Sequence, residues 1–395
     1  MIPTPGLRAN WQQFTLLVII NGFVGAMLGI ERSIVPLIAN HEFAVVSTSV
    51  TLSFIISFGV VKALANLFTG WAVARYGRKA ILVAGWLVGL PVPILIIWAP
   101  SWEWVIAANV LLGINQGLCW STAVIMKIDL VGAQQRGLAM GLNEFAGYVA
   151  MSLASMLAGF LAVHYGMRPV PFLVGIGLAS AGLILSTIWV RDTQAFVPIA
   201  PTTPVNPPSF RQLFIQASWH HRILRSLNHA GLINNLNDVV IWGMLPLMAI
   251  TQQIPIATSA SIGATYLGVW GLSQLATGPL SDRYGRTPFI AAGMVVQAIG
   301  IVVFALTTHS MWWYGAAILM GAGTAMVYPT LLAAVGDSAV PQLRAQTVSI
   351  YRFWRDSGYA GGAILAGFIS DAWGYTSALW LIAVLTLWAG IRIIK

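Results

Sequence analysis

Charge is what this chain has least of. Only 8% of its 395 residues are Asp, Glu, Lys or Arg, and 58% are apolar. A soluble domain carries about 25% charged residues, so a water-exposed globule is excluded. Carboxylates are the scarcer sign: 11 Asp and Glu stand against 20 Lys and Arg, a formal net charge of +9. In a soluble protein that excess would suggest nucleic acid. Here the positions of the cations matter more than their sum, and no nucleic-acid partner is expected. Cysteine is absent except for Cys119, inside an apolar run. One thiol builds neither a disulfide nor a metal cluster, and it reads as a small buried hydrophobe. The six histidines are scattered and no phosphate loop occurs, so no metal, no cofactor and no enzyme activity are expected. Near the start, Arg8 precedes an apolar stretch too long for a signal peptide, with no small-residue cleavage site. It reads as a retained first span.

What the chain has instead is apolar length. A membrane helix needs about 20 apolar residues. Twelve stretches qualify: 14–38, 47–73, 79–99, 103–127, 137–163, 169–190, 224–249, 257–280, 287–307, 311–335, 345–370 and 375–393. The fold class expected is an all-α integral membrane protein with twelve transmembrane helices. Loops and span ends of one parity carry Arg75, Arg78, Lys79, Lys127, Arg136, Arg191, Arg211, Arg222, Arg225, Arg283, Arg286 and Arg344, and the termini add Arg8, Arg392 and Lys395. The other parity carries Arg168, with Arg32 at a span end. The positive-inside rule then places both termini in the cytoplasm, as expected of a multi-pass protein of a bacterial plasma membrane. Opposite ends carry aromatic clusters such as Trp98, Trp102 and Trp104, as a bilayer interface would.

The chain also repeats itself. Gly70-Trp71-Ala72-Val73-Ala74-Arg75-Tyr76-Gly77-Arg78-Lys79 returns as Gly278-Pro279-Leu280-Ser281-Asp282-Arg283-Tyr284-Gly285-Arg286-Thr287, 208 residues later. At the same offset, Gly113 to Gly166 lies over Gly321 to Gly374 without a gap, placing Trp120 on Tyr328, Asp129 on Asp337 and Glu144 on Arg352. A repeat this long is one folding unit used twice, a common transporter build. Residues 191–222 form the longest polar break. Pro198, Pro201, Pro204, Pro207 and Pro208 make its first part an extended linker. Phe210, Leu213, Phe214 and Ala217 then fall at helical spacing, as in a helix lying on the inner membrane surface. The division is therefore a bundle over 1–190, a cytoplasmic linker over 191–222 and a second bundle over 223–395.

With these features the sequence resembles the major facilitator superfamily, over essentially its whole length. The repeated decapeptide is similar to that family's loop signature G-x-x-x-D-R-x-G-R-K/R between helices 2 and 3. The second copy keeps Gly278, Asp282, Arg283, Gly285 and Arg286; the first keeps Gly70, Arg75, Gly77 and Arg78 but has Ala74 at the Asp position. Gly70 and Gly278 allow two helices to approach, and Gly77 and Gly285 permit the reversal of the chain. The resemblance implies a latch of arginines and carboxylates on the cytoplasmic face in the outward-open state. Ala74 removes one carboxylate from it, leaving Asp129 and Asp337 available. Two patterns of drug/proton antiporters in the family are missing: span 4 has no Arg through Ala107–Gly113, and span 5 has no Gly-Pro pair.

Charges within the spans are the remaining signal. Each costs roughly 3 kcal/mol or more near a helix centre and needs a partner, a wet cavity or a task. They are Glu31, Arg32, Lys62, Glu144, Asp238, Arg352, Arg355 and Asp356. The resemblance implies that helices 2, 5, 8 and 11 meet across the halves, which suggests Lys62 with Asp356 as a pair. Asp356, four residues from Arg352, is also placed to neutralise it. Glu144, with Glu31, Asp238 or Asp356, is the expected proton-coupling system, and Arg352 or Arg355 the expected substrate contact. Span 7 is unusually polar, with Asn228, His229, Asn234, Asn235, Asn237 and Asp238. Asn234 and Asp238 share a face, the strongest single substrate-site expectation, to which Asn21, Asn115 and Gln116 would add hydrogen-bonding groups. Fixed salt bridges and interhelical amide bonds are the alternative for all of these groups.

The reading is a monomeric secondary transporter in the lipid bilayer, moving a small-molecule substrate by alternating access with proton coupling. Arg352, Arg355 and Lys62 favour an anion. Glu31, Glu144 and Asp238 favour a cation or neutral amphiphile leaving by proton antiport. A sensor or scaffold of the same fold that moves nothing is the third reading.

Overall fold

Four glycines mark where the chain turns back. Gly77 and Gly285 both hold φ at 87°, and Gly166 and Gly374 hold it at 85° and 81°. These are left-handed conformations that an L side chain avoids. Each pair is one position of the 208-residue repeat, so the repeat in sequence is a repeat in backbone.

The computed structural model describes residues 6–131, 136–196, 209–340 and 343–394, without the side chains of 136–140, 279, 344 and 345. The linker prolines from Pro198 to Pro208 lie outside it. Among the described residues there are helices and no strands. We label the long helices α1 Trp11–His41, α2 Ser53–Tyr76, α3 Arg78–Ile97, α4 Trp102–Val131, α5 Arg136–Tyr165 and α6 Val170–Ile188. The second set is α7 Arg222–Thr251, α8 Ile256–Tyr284, α9 Arg286–Leu306 and α10 Ser310–Ser338, with α11 and α12 sharing 344–394 on either side of Gly374. Nine described stretches are long and apolar enough to cross a membrane, and the stretch 346–394 contains the Gly374 break. The expected spans 103–127 and 257–280 are helices too, α4 and α8.

Small residues set the packing. A Cβ on Gly113 of α4 would lie 2.8 Å from the Phe58 carbonyl oxygen of α2, and one on Gly321 of α10 would lie 2.6 Å from the Tyr266 carbonyl oxygen of α8. These two contacts are equivalent under the repeat. The halves meet where α5 packs on α8 and α2 on α11, the four helices expected at the seam. A Cβ on Gly59 would come within 2.7 Å of the Ala360 nitrogen, and Ser152 Oγ donates to the Ala264 carbonyl at 2.7 Å. Lipid offers no hydrophobic drive between apolar helices, so close backbone approach carries the association.

At the end away from the decapeptides, the halves are also tied by polar groups. Asp371, at the end of α11, accepts from Thr48 N (2.6 Å), Ser49 N (3.0 Å), Ser47 Oγ (2.8 Å) and Ser49 Oγ (2.6 Å). A carboxylate therefore caps the start of the short helix Thr48–Thr51 from the opposite half. Its partial burial opposes ionisation, but the donors from Ser49, Ser47 and Thr48 outweigh that and hold its pKa at about 2. At the decapeptide end the linker supplies a capped helix, Phe210–Ile215, with a capping box from Ser209 and Gln212. Its apolar face does not lie free on the membrane surface: Phe214 stacks on Trp354 of α11, and Trp354 donates to Ser218.

Two predictions follow from packing and pH. Gly25→Ala, whose Cβ would meet the Gly147 carbonyl oxygen at 2.1 Å, lowers the thermal midpoint in detergent by about 1–3 kcal/mol of stability; Gly141→Ala, with nothing within 4 Å, leaves it unchanged or higher. A depressed carboxylate stabilises above its unfolded pKa and loses that contribution as pH falls through the folded value. The midpoint difference between the protein and Asp371→Ala is therefore constant from pH 8 to 5 and shrinks toward pH 2.

Candidate transport cavity

The expensive groups converge between the halves. A cavity lies among α1, α2, α4, α5, α7, α10 and α11. Its cations are Lys62, Arg352 and Arg355; its aromatic walls are Trp120, Tyr148, Trp242, Tyr328 and Tyr359; Asn66, Gln116 and Ser121 add neutral polar groups. Among the described residues, no carboxylate lines it. The sequence reading pairs Asp356 with Lys62 or Arg352 and counts Glu31, Glu144 and Asp238 with the same groups; none of these four is among the residues lining the cavity.

Asp356 adjoins the wall through Arg355. It is fully buried, pairs with Arg355 Nη2 at 2.6 Å, and also accepts from Asn66 of α2 and, at 3.2 Å, from Asn235 of α7. Arg355 in turn donates to the Tyr328 hydroxyl at 2.7 Å. The expected pairs of Asp356 with Lys62 and with Arg352 are thus corrected: its two oxygens are already filled by a nearer arginine and two amides. Lys62 Nζ rests 5.0 Å from the Tyr359 ring centre and 5.4 Å from that of Phe58, a cation on aromatic faces. Arg352 Nη1 donates to Ser121 Oγ of α4 at 2.9 Å, while its Nε has no partner.

Glu144 sits one layer behind the wall. Trp120 Nε1 donates to its Oε1 at 3.0 Å, Asn143 donates to the same oxygen at 2.9 Å, and Oε2 has no donor. It does not pair with Arg352, its counterpart in the repeat. Trp120 and Tyr328 occupy matching cavity positions, and the seam between them is filled by Tyr148 stacked on Trp270 at 3.7 Å.

The polar face of α7 does not line the cavity, which corrects the substrate role expected of Asn234 with Asp238. Gln297 of α9 donates to Asn234 Oδ1 at 3.0 Å and accepts from Asn237 at 2.9 Å, and Thr386 of α12 donates to Asn237 at 2.8 Å. These amides join helices within one half. Asp238 accepts from the Tyr266 hydroxyl of α8 and keeps a bare Oδ2. Asn115 likewise turns away, donating to the Gly85 carbonyl of α3, and Asn21 donates to the Asn143 carbonyl. Gln116 does line the cavity, donating to the Val24 carbonyl. Glu31 and Arg32 lie near each other on α1, with Nη1 and Oε2 3.5 Å apart, and Arg32 faces a different cavity. Lys127, counted among the loop cations, is wholly buried and donates to the Leu17 carbonyl at 3.1 Å. Asn66, Ser121, Tyr148 and Tyr359 carried no charge signal and were not anticipated.

The repeated decapeptides form matched ion pairs. Arg78 Nε meets Asp129 at 3.2 Å and Arg286 Nε meets Asp337 at 2.5 Å. Asp282 adds a second bond to Arg286 at 3.1 Å. Where Ala74 removes that group, Asp192 arrives from the linker, accepting from Lys79 N at 2.9 Å beside Gly77. Arg75 and Arg283 stand instead over their neighbouring tyrosines, Tyr76 and Tyr284. Gly70 lies against Ser349 of α11, whereas Gly278 has open space beside it, so only the first keeps the close approach expected of both. All ion pairs among the described residues lie within one half.

Removing one partner of a buried pair costs about 3–5 kcal/mol, whereas replacing both by apolar groups is near neutral. Asp356→Leu therefore destabilises by about that amount, and the double change Arg355→Leu with Asp356→Leu recovers most of it. A thermal-unfolding double-mutant cycle in detergent reads both.

Comparison with known proteins places this geometry. A family model described as Major Facilitator Superfamily matches residues 14–230 and 227–394. The "Multidrug resistance protein MdtG" of Serratia proteamaculans (strain 568) is 22% identical over 400 residues, covering 98% of this chain and 94% of that protein. A POT family transporter solved with 5-aminolevulinic acid superposes with a TM-score of 0.79 at 11% identity, over 97% of this chain and 95% of that one. A bacterial homologue of the human lysosomal transporter Spinster, inward-facing and unoccupied, gives 0.76 at 14% identity, over 97% and 96%.

Proposed function

The chain belongs to the major facilitator superfamily of membrane transporters, and from that premise we propose that it carries aromatic or amphiphilic organic anions by proton-coupled alternating access. One observation carries the substrate class: among the described residues, the central cavity presents Lys62, Arg352 and Arg355 with five aromatic walls and no carboxylate. A guanidinium offers a fork of N–H donors to a carboxylate or sulfonate, and the rings offer stacking faces for its apolar body. The Nε of Arg352 has no partner among the described residues, so a ligand oxygen completes it.

The cation excess at the decapeptide end supports placing that end and both termini in the cytoplasm of a bacterial plasma membrane. Alternating access is supported by the asymmetry of the ties. Asp371 joins the halves at the far end, while Arg78–Asp129 and Arg286–Asp337 at the decapeptide end each stay within one half. The proton carrier we favour is Glu144, whose bare Oε2 lies just behind the cavity wall. Asp238 and Glu31 also hold undonated oxygens; Asp356 is fully paired and serves to position Arg355. We take the direction to be export, since removal of a compound is one way a transporter confers the resistance for which the MdtG relatives are named. The undonated oxygens of Glu31, Glu144 and Asp238 favour a second reading, an exporter of cationic or neutral amphiphiles.

Proteoliposomes separate the two. An aromatic sulfonate is moved under an imposed pH gradient, and Arg352→Gln or Arg355→Gln slows it about tenfold or more, the loss of a charge-assisted hydrogen bond. Glu144→Gln abolishes the response to the gradient but retains exchange of substrate across the membrane. Transport of a quaternary ammonium that neither arginine variant alters contradicts the anion assignment, and gradient-driven transport unchanged in Glu144→Gln removes that residue as the carrier.

A further inference from the structure

A second cavity lies among α1, α5, α7 and α8 toward the end away from the decapeptides. Trp242 borders both cavities, and its ring stacks on Tyr359 of the central one at 5.0 Å. Arg32 lines the second cavity and is 2% exposed.

The guanidinium of Arg32 is held but not saturated. Phe54, Phe58 and Trp242 surround it, with ring centres 5.0, 4.3 and 5.5 Å from Cζ. Its Nη1 is used: it donates to Asn109 Oδ1 at 3.4 Å and lies 3.5 Å from Glu31 Oε2. Nε and Nη2 have no partner among the described residues. These two atoms form the side-on edge that receives a carboxylate, sulfonate or phosphate through two parallel hydrogen bonds. Leaving charged donors buried and unmatched is costly, so this edge calls for an acceptor. The hydroxyls nearby do not supply one with charge: Ser33 and Ser155 both donate to the Gly29 carbonyl. The rest of the wall is apolar, with Leu245, Pro246 and Leu267.

We infer that this cavity is a second anion site, in which the Nε–Nη2 edge of Arg32 takes the acidic head of an amphiphile and the apolar wall takes its body. The site is distinct from the central cavity and does not depend on the function assigned there. The same chemistry is offered by a soluble organic acid and by an acidic lipid.

Equilibrium binding to the purified full chain in nonionic detergent tests it, with naphthalene sulfonate as one probe and a short-chain phosphatidylglycerol as the other. The expected result is an Arg32-dependent site for at least one probe: Arg32→Gln removes one bound molecule per chain, and Arg352→Gln does not remove that one. Gly263→Leu gives an independent check that leaves every charge in place. A Cβ at Gly263 meets only Ile241 and Leu245 atoms at 3.8 and 3.9 Å, so a longer side chain fills the cavity, and the same molecule is lost. Which probe is lost identifies the source as soluble acid or lipid. A single sulfonate site kept in Arg32→Gln and lost in Arg352→Gln, with no Arg32-dependent lipid, overturns this inference and leaves the central reading standing. A single site with the opposite dependence supports this inference and contradicts the central one. No Arg32-dependent binding of either probe overturns it outright.

Discussion

The carboxylate of Asp356 is the point on which the centre of the molecule depends. A lone charge inside the bilayer is costly, and Asp356 is fully buried. It is tolerated because three helices supply it: Arg355 from α11, Asn66 from α2 and Asn235 from α7. The same bonds join the two halves and fix Arg355 against Tyr328 at the cavity wall. An ion pair of this kind contributes little net stability. What it contributes is position, since a guanidinium with one carboxylate and one hydroxyl partner has a single preferred orientation.

Around that centre, the seams are built from backbone approach rather than side-chain bulk. Gly59 against Ala360 and Gly367 against Ser49 bring α11 onto α2 and the helix before it, while Gly159 against Ala260 brings α5 onto α8. Polar side chains add a tie between the halves beyond this close contact. Asp371 does this at the far end, and the decapeptide arginines hold each half rigid at the other.

Much of this was legible in the sequence, because its signals are periodic or costly. Apolar length located the helices, and the 208-residue repeat located equivalent turns at Gly77 and Gly285. Of the eight rare membrane charges, Lys62, Arg352 and Arg355 line the cavity, while Glu31, Arg32, Glu144, Asp238 and Asp356 do not. Pairing was not legible. A carboxylate four residues from one arginine and adjacent to another chose the adjacent one, because two amides from other helices fixed its oxygens. The amides of α7 gave the same composition whether they faced a cavity or Gln297 and Thr386, and only the packing of α9 and α12 decides between these. Uncharged wall residues such as Tyr148 and Tyr359 resemble any core aromatic until both halves are assembled. The clasp at Asp371 depends on a contact across more than 300 residues, which no local pattern announces.

The central claim is that the cavity selects by negative charge. The most direct measurement is binding of a matched pair of ligands, one aromatic ring bearing a sulfonate and the same ring bearing a quaternary ammonium, followed by the thermal midpoint of the purified protein. At about 100 times its dissociation constant a ligand stabilises by roughly 2.7 kcal/mol. The account predicts that the sulfonate raises the midpoint, that the ammonium does not, and that Arg352→Gln removes the sulfonate effect. Stabilisation by the ammonium alone, unchanged in Arg352→Gln, would contradict it.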